Sequence, residues 1–313
     1  MRTDAIDTLI DDIYGVLTGR LKPSPIVDDV TSNADFAKRV IGHIHSDLVP
    51  DTRLDRDPRE VYVTQFSNPC HRKAWFERNK RTALKEHAIS GHGKYKFLYG
   101  DLIEESFLYL AKAAGHEVTD TQRRFSHELP FSGALLLAGR IDACIDGWLV
   151  DVKSADPFTF DRVVEGKLYD KFGYLQQLQA YLWLASKEGI EYKGIANVFI
   201  NKVNGKMHVL KWKAMPNFRE LENNLRDFEE DMLDKDITPH PVFALKDDGV
   251  LSTTCSYCPF KFECYGDSGL RVYAYSSGPQ FVATAMSKKK IKVPDITSAY
   301  MKQADVRNGN GPT

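Results

Sequence analysis

The residues best suited to chemistry lie between Gly139 and Tyr181, in GRIDACIDGWLVDVKSA and, after a polar interval, GYLQQLQAYLWLAS. Asp146-Gly147 between two alternating runs predicts a hairpin with a two-residue turn. Counting outward from that turn sets Ile145 opposite Trp148, Ala143 opposite Val150 and Ile141 opposite Val152, an apolar face. The other face pairs Cys144 with Leu149, Asp142 with Asp151, and Arg140 with Lys153. Directly opposed β-carbons lie about 4.5–5.5 Å apart, where like charges repel. A divalent cation held by hard oxygen ligands from both strands would relieve that repulsion. The plainer alternative is a solvated face whose acids pair with Arg140 and Lys153, which contributes little stability. Asp146 belongs to the turn and is left out of the site.

Two helices are needed to complete such a site. In GYLQQLQAYL, Leu175, Leu178, Leu182 and Ala185 recur at helical spacing, which leaves Gln177 and Tyr181 one turn apart on a neighbouring face. Residues 95–114 also read as a helix. Its apolar stripe is Gly100, Glu104, Phe107, Leu108 and Ala111, and Asp101, Glu105 and Lys112 fall on a more polar side. Glu104 is therefore expected to point inward and Glu105 to face solvent. An acid on an apolar stripe is costly unless it is paired or bound to a metal.

A second constellation is built on sulfur. Cys255, Cys258 and Cys264 form C-x2-C-x5-C, with Cys70 and Cys144 far upstream. Five cysteines in 313 residues are too few for a disulfide scaffold, and the spacing reads as a metal or cluster site in a reducing compartment. Four thiolates suit zinc and iron–sulfur alike, and His71 or His240 can replace one of them in a zinc site. Cys144, beside Asp142 on a strand, reads as a buried free thiol.

The order Asp142, then Asp151-x-Lys153, then Gln177-x-x-x-Tyr181 resembles the PD-(D/E)xK nuclease superfamily, in particular its RecB-type exonuclease branch. The resemblance implies a restriction-endonuclease-like α/β fold, a mixed central sheet flanked by helices. It also implies Mg²⁺ or Mn²⁺ held by Glu104, Asp142, Asp151 and the backbone carbonyl of Val152. RecB-like nucleases carry a glycine and an acid or histidine on a helix before the core sheet. Glu104 fits that slot, where the CRISPR-adaptation exonucleases have a histidine. Metal ions of this kind supply the attacking water, neutralise the phosphate and stabilise the leaving oxygen. Lys153, on the same strand face as Asp151, would orient the water or stabilise the developing charge. Gln177 and Tyr181 would bond the phosphate or brace Lys153. One cysteine before the core and three after it, Cys70 with Cys255, Cys258 and Cys264, resembles the AddB-like, iron–sulfur variant of this branch. A [4Fe–4S] cluster is then favoured over zinc.

The activity implied is a metal-dependent DNA exonuclease that makes single-stranded ends for recombination or repair. The alternatives are a non-catalytic iron–sulfur DNA-binding module and a structure-specific endonuclease. The expected partner is DNA, single-stranded or with free ends. With no Walker A loop, unwinding would need a separate helicase, and a recombinase is a further expected partner.

The rest of the chain sets the context. Lys and Arg number 42 against 43 Asp and Glu, so a net charge of −1 announces no global polyanion-binding field. No apolar run approaches the roughly 18 residues of a membrane span, and the acidic N-terminus is unlike a signal peptide; a cytoplasmic location is expected. Residues 1–55, with helices over 2–18 and 33–47, read as an accessory region. Residues 56–270 read as the nuclease core closed by the cysteines, and 271–313 as a C-terminal extension with Lys288–Lys290 and a flexible end. The basic stretch around Cys70 (His71, Arg72, Lys73, Arg78, Lys80 and Arg81, with Trp75 and Phe76) is either a nucleic-acid contact or a solvated helix with its aromatics in the core. Residues 81–96 read as a loop entering the helix of residues 95–114.

Overall fold

A computed structural model describes residues 4–48, 57–79, 91–129, 131–168, 170, 173–213, 217–234, 245, 248–256, 258–265, 269–276, 278–287 and 291–301. Helices α1 (Leu9–Leu17) and α2 (Val30–Leu48) lead to strand β1 (Glu60–Tyr62), α3 (Val63–Phe66), α4 (His71–Asn79) and α5 (Gly91–Ala113). Strands β2 (Val118–Thr119), β3 (Arg124–Glu128), β4 (Leu136–Arg140), β5 (Ala143–Ile145) and β6 (Trp148–Ala155) follow. Then come α6 (Pro157–Val164), α7 (Tyr174–Lys187), β7 (Gly194–Asn201), β8 (Met207–Trp212) and α8 (Arg219–Leu233). The last are α9 (Thr253–Ser256), α10 (Lys261–Tyr265), β9 (Leu270–Tyr275) and β10 (Gly278–Ala283). The chain divides into two compact units, Met1–Ser67 with Gly91–Arg226 and Asn68–Ser90 with Asp227–Thr313.

The first unit is built on a mixed five-stranded sheet of order β2-β5-β6-β7-β8, with β6 and β7 parallel and the other pairs antiparallel. The β5–β6 turn has positive φ at both central residues, 53° at Asp146 and 86° at Gly147, as a tight hairpin of matching twist requires. Ile145 pairs with Trp148, Cys144 with Leu149 and Ala143 with Val150, as counted from the turn. The ladder then stops, and this corrects the expected hairpin. Asp142 is not a ladder partner of Asp151, nor Ile141 of Val152, nor Arg140 of Lys153. The Asp142 carboxylate itself accepts the Val152 N–H at 2.7 Å, and its carbonyl accepts the Gln122 N–H at 3.0 Å. With its ladder position taken by a side chain, the strand turns away. Its continuation β4 joins a three-stranded sheet of order β1-β4-β3, parallel to β1 and antiparallel to β3.

One face of the five-stranded sheet is sealed by helices. Phe107, Leu108 and Ala111 of α5, with Ile6, Leu9 and Ile13, pack on Ala143, Ile145, Val150, Val152, Ala196, Val198 and Ile200. Each fully buried large aliphatic or aromatic side chain contributes roughly 1.5–3 kcal/mol. The N-terminal segment, expected as accessory, thus supplies part of this core. On α7 the expected stripe is incomplete. Leu175 and Leu182 are half-buried, whereas Gln177, Ala180, Tyr181, Trp183 and Leu184 are buried with Leu178 and Ala185. Helix α7 is enclosed on more than one side, so its periodicity marks only part of its contact surface.

The face assignment on α5 is also corrected. Glu105 is fully buried and bonds Arg39 Nε at 2.7 Å and His43 Nε2 at 3.3 Å, both on α2. A second helix lying on the polar side of α5 turns an apparently solvated acid into an interior one.

In the second unit, Leu251, Tyr265, Leu270, Val272 and Phe281 form a core joined by Cys255, Cys264, Ile296 and Tyr300. The β9–β10 hairpin therefore shares a core with the cysteine segment, across the boundary expected at residue 270. Trp75 and Phe76 are buried, with Trp75 Nε1 donating to the Asp234 carbonyl at 2.6 Å and Phe76 stacked on Phe260. Residues 91–94, expected as loop, already belong to α5. Lys80, residues 81–90, His240, Lys288–Lys290 and the tail beyond 301 lie outside the described residues. Among the described residues no helix is long and apolar enough to cross a membrane.

If Glu105 is an interior ion-pair partner, Glu105→Ala strands Arg39 and lowers stability by about 3 kcal/mol. A solvent-facing acid would change it by no more than about 0.5 kcal/mol. Urea unfolding of the two proteins distinguishes these outcomes.

Candidate active site

Glu104, Asp142, Asp151, Lys153, Gln177 and Tyr181 all line one cavity of about 280 Å³ in the first unit. Four parts of the chain deliver them. Glu104 comes from α5, Asp142 from the bend between β4 and β5, Asp151 and Lys153 from β6, and Gln177 and Tyr181 from α7. Gly139 in β4 makes the close approach of α7 possible. A Cβ there would stand 2.5 Å from Tyr181 Cε1 and 2.8 Å from Val63 Cγ2.

Lys153 is the hub of the polar contacts. Its Nζ donates to Asp151 Oδ1 at 2.8 Å and to Gln177 Oε1 at 3.3 Å, and lies 5.5 Å from the centre of the Tyr174 ring. Gln177 Nε2 in turn donates to the Tyr181 hydroxyl at 3.3 Å. Gln177 and Tyr181 thus form a chain that braces the lysine. Burial alone would lower the Lys153 ammonium, but the carboxylates of Asp151 and Asp142 outweigh it and hold it well above its ordinary value. Lys153 is therefore cationic at neutral pH. Burial, opposed only in part by the Gln177 hydrogen bond, raises the Tyr181 hydroxyl, which stays neutral.

The acids are pushed the other way. Burial first, then the charges of Asp142 and Asp151, raise Glu104 far above the usual carboxylate range. Burial and the charge of Asp151 raise Asp142, with Lys153, the Val152 N–H and Arg140 pulling it back. Clustered, partly desolvated carboxylates of this kind are expected where a cation is to be bound. Hard oxygen donors from three parts of the chain suit Mg²⁺ or Mn²⁺. Among the described residues no three His, Cys, Asp or Glu side chains stand in a metal-holding arrangement. Each acid instead accepts from a protein donor: Glu104 from Gln122 Nε2, Asp142 from the Val152 N–H, and Asp151 from Lys153 and from Asn197 Nδ2 at 2.6 Å.

Sequence reasoning missed three of these supports. Asn197 pairs with Asp151 in the parallel β6–β7 register and is fully buried, its Oδ1 accepting from Trp212 Nε1 at 2.7 Å. The signal was available, as a lone amide in the otherwise apolar run IANVFI. Gln122 touches both Glu104 and Asp142 from a backbone with φ of 57°, a conformation that a non-glycine residue keeps only when its surroundings impose it. His43 also lines the cavity, held between Glu105 and Asp101 Oδ2 at 3.5 Å. Nothing in the chain order joins it to residues sixty positions away.

In the second unit, Cys70, Cys255, Cys258 and Cys264 are free and half-buried, and Cys144 in the first unit is buried. The Cys264 thiol is pushed up to about 11, by burial first, with Arg72 opposing and the charges of Cys70, Cys258 and Cys255 adding to the rise. The four thiols lie within charge–charge reach of one another, but not at metal-ligand geometry among the described residues. Cys255 Sγ lies 3.7 Å from the Tyr265 hydroxyl. His71 is bonded to Asp231 through Nδ1 at 2.7 Å.

No curated protein matches the chain. Among solved structures it is similar to the crystal structure of SSO0001, at 18% identity and a TM-score of 0.48, over 75% of this chain and 96% of that one. The sequence profile of the PD-(D/E)XK nuclease superfamily matches residues 52–265, a stretch that contains every acid of the cavity and the lysine beside them. On that match, over more than half its length, the chain belongs to the PD-(D/E)XK nuclease superfamily.

Proposed function

We propose that the protein is a divalent-metal-dependent DNA exonuclease of the RecB type, producing single-stranded ends for recombination or repair. The observation that carries the reading is the cavity in which Lys153, bonded to Asp151, faces Asp142 and Glu104. An ion held by Glu104, Asp142, Asp151 and the Val152 carbonyl would polarise the phosphate and acidify the attacking water. The water oxygen forms a bond to phosphorus and gives up a proton to solvent, the bond from phosphorus to the leaving oxygen breaks, and that oxygen takes up a proton from solvent. Lys153, charged and braced by Gln177, stabilises the extra negative charge on the phosphoryl oxygens and does not accept the proton. Asn197 and Gln122 hold two of the acids in place.

The cysteine set is read with it. Cys70, Cys255, Cys258 and Cys264 provide four thiols in one neighbourhood, the number that either a [4Fe–4S] cluster or zinc requires. Arg72 and Lys73 set positive charge against Cys264 and Cys258, as an anionic thiolate centre needs. The resemblance to iron–sulfur nucleases favours the cluster. Its binding would contribute to folding, since the thiols come from distant parts of the chain. DNA with free ends is the proposed substrate, with a helicase or recombinase acting alongside in the cytoplasm.

Asp142→Asn, Asp151→Asn and Lys153→Ala are each expected to lower kcat by at least about a hundredfold, with the unfolding transition retained. Gln177→Ala should be milder and leave Mn²⁺ affinity unchanged. End-labelled linear DNA is degraded progressively and covalently closed circular DNA is spared. Cleavage of circles would make the enzyme an endonuclease, and cleavage resistant to chelators would remove the metal.

Protons compete with the ion for Glu104 and Asp142, both of which hold them to higher pH than ordinary carboxylates. Mn²⁺ affinity, measured by calorimetry, should therefore increase as pH rises from the usual carboxylate range near 4 towards neutrality and beyond. A flat profile would contradict this.

Protein purified anaerobically should be brown and carry iron and sulfide. Replacing Cys70, Cys255, Cys258 or Cys264 by Ala should bleach it and lower its thermal midpoint, with Cys144→Ala retaining the colour. Colourless protein with stoichiometric zinc would replace the cluster by zinc.

A further inference from the structure

The rim of the cavity carries a cation that the chemistry described above does not use. Arg140, the last residue of β4, lines the cavity and is exposed. Two other arginines sit on the strand it pairs with or next to it, and both are neutralised. Arg123 bonds Asp120 and Glu188, each at 3.0 Å, and Arg124, directly opposite Arg140 in the register, is paired with Glu60. Among the described residues the Arg140 guanidinium has neither a hydrogen-bond nor an ion-pair partner. Two like charges facing each other across a ladder are unfavourable, and a chain gains nothing structural by keeping the second of them unpaired.

The site has a need that Arg140 meets. Asp101, Glu104, Asp142 and Asp151 all line the cavity, and Lys153 is already engaged by Asp151. A polyanionic strand must approach this acidic mouth, so a cation on the approach is required. Arg140 ends β4 two residues before Asp142, at most about 7 Å along the chain, which sets it beside the reacting position and not on it. A guanidinium presents a planar fork of donors that matches two oxygens of one phosphate.

Resting on the nuclease reading, we propose that Arg140 is a phosphate anchor. Its guanidinium holds the phosphate adjacent to the scissile one in a DNA strand lying in the cavity. Arg140 is thus a substrate-binding residue whose contact is with the backbone, so it serves every sequence alike.

The competing role is purely internal: Arg140, the last of the groups that oppose the rise at Asp142, would then act through that carboxylate. The test compares wild type with Arg140→Ala and Arg140→Lys. Binding of a labelled single-stranded oligodeoxynucleotide is measured by anisotropy through a NaCl titration, with Ca²⁺ in place of Mg²⁺. Mn²⁺ affinity is measured separately by calorimetry without DNA. For Arg140→Ala, DNA binding should weaken about tenfold at low salt, and the slope of log K against log salt should shrink by about 0.7, the loss of one single-strand phosphate contact. Arg140→Lys should keep the wild-type slope, and Mn²⁺ affinity should be the same in all three. An unchanged slope in Arg140→Ala overturns the anchor and leaves the nuclease reading intact. So does a fall in Mn²⁺ affinity that matches the loss of DNA binding, since Arg140 would then act through Asp142. Absence of DNA binding by the wild type would overturn both.

Discussion

Three carboxylates that share one partly buried cavity repel one another, and much of the first unit can be understood as the means of holding them there. Glu104 and Asp142 are raised by burial and by the charges around them. Such a cluster disperses unless each member has a fixed donor. Lys153, Asn197, Gln122 and the Val152 N–H supply those donors, each from a different structural position. The lysine is in turn fixed by Gln177, which is fixed by Tyr181. The result is a polar network in which each hydrogen-bonded partner limits the freedom of the next, which is how buried polar groups come to specify a single arrangement.

The backbone makes room for this network by an interruption. A regular hairpin would have opposed Asp142 and Asp151 side by side on one ladder. The chain instead leaves the second sheet at the end of β4, uses the Asp142 side chain to satisfy the Val152 N–H, and joins the ladder only at Ala143. The two acids then meet across a bend and not across a ladder, and the bend opens space for a ligand between them. Gly139, one residue before Arg140, lets Tyr181 come close on the other side.

The hairpin turn, its first three pairs and the helical identity of α5 and α7 were legible in the chain because each is encoded locally. Asp146-Gly147 dictates a turn wherever it falls, and an apolar stripe marks the packed side of a helix. The burial of Glu105 was not legible, because it depends on α2 lying against α5 and no local pattern records which helices meet. Arg39 and His43 were missed for the same reason. The end of the hairpin ladder was missed because a side chain that replaces a backbone partner leaves no trace in the alternation. Leu175 and Leu182 were overvalued, since α7 is enclosed on several sides and a stripe argument assumes one. Asn197 is legible: an amide inside the apolar run IANVFI calls for a partner, and Asp151 is next to it.

The participation of the N-terminal helices bears on what counts as the unit of inheritance here. The superfamily match begins at residue 52, yet Ile6, Leu9 and Ile13 complete the layer over β5, β6 and β7, and α2 carries the partners of Glu105. The stretch recognisable by descent is therefore smaller than the stretch that folds. Transplanting the matched segment at its edges would carry the acids and the lysine but expose Phe107, Leu108 and Ala111 as a sticky face. In this chain the acids and the lysine keep their packed setting only together with that helical cover, which lies outside the matched stretch.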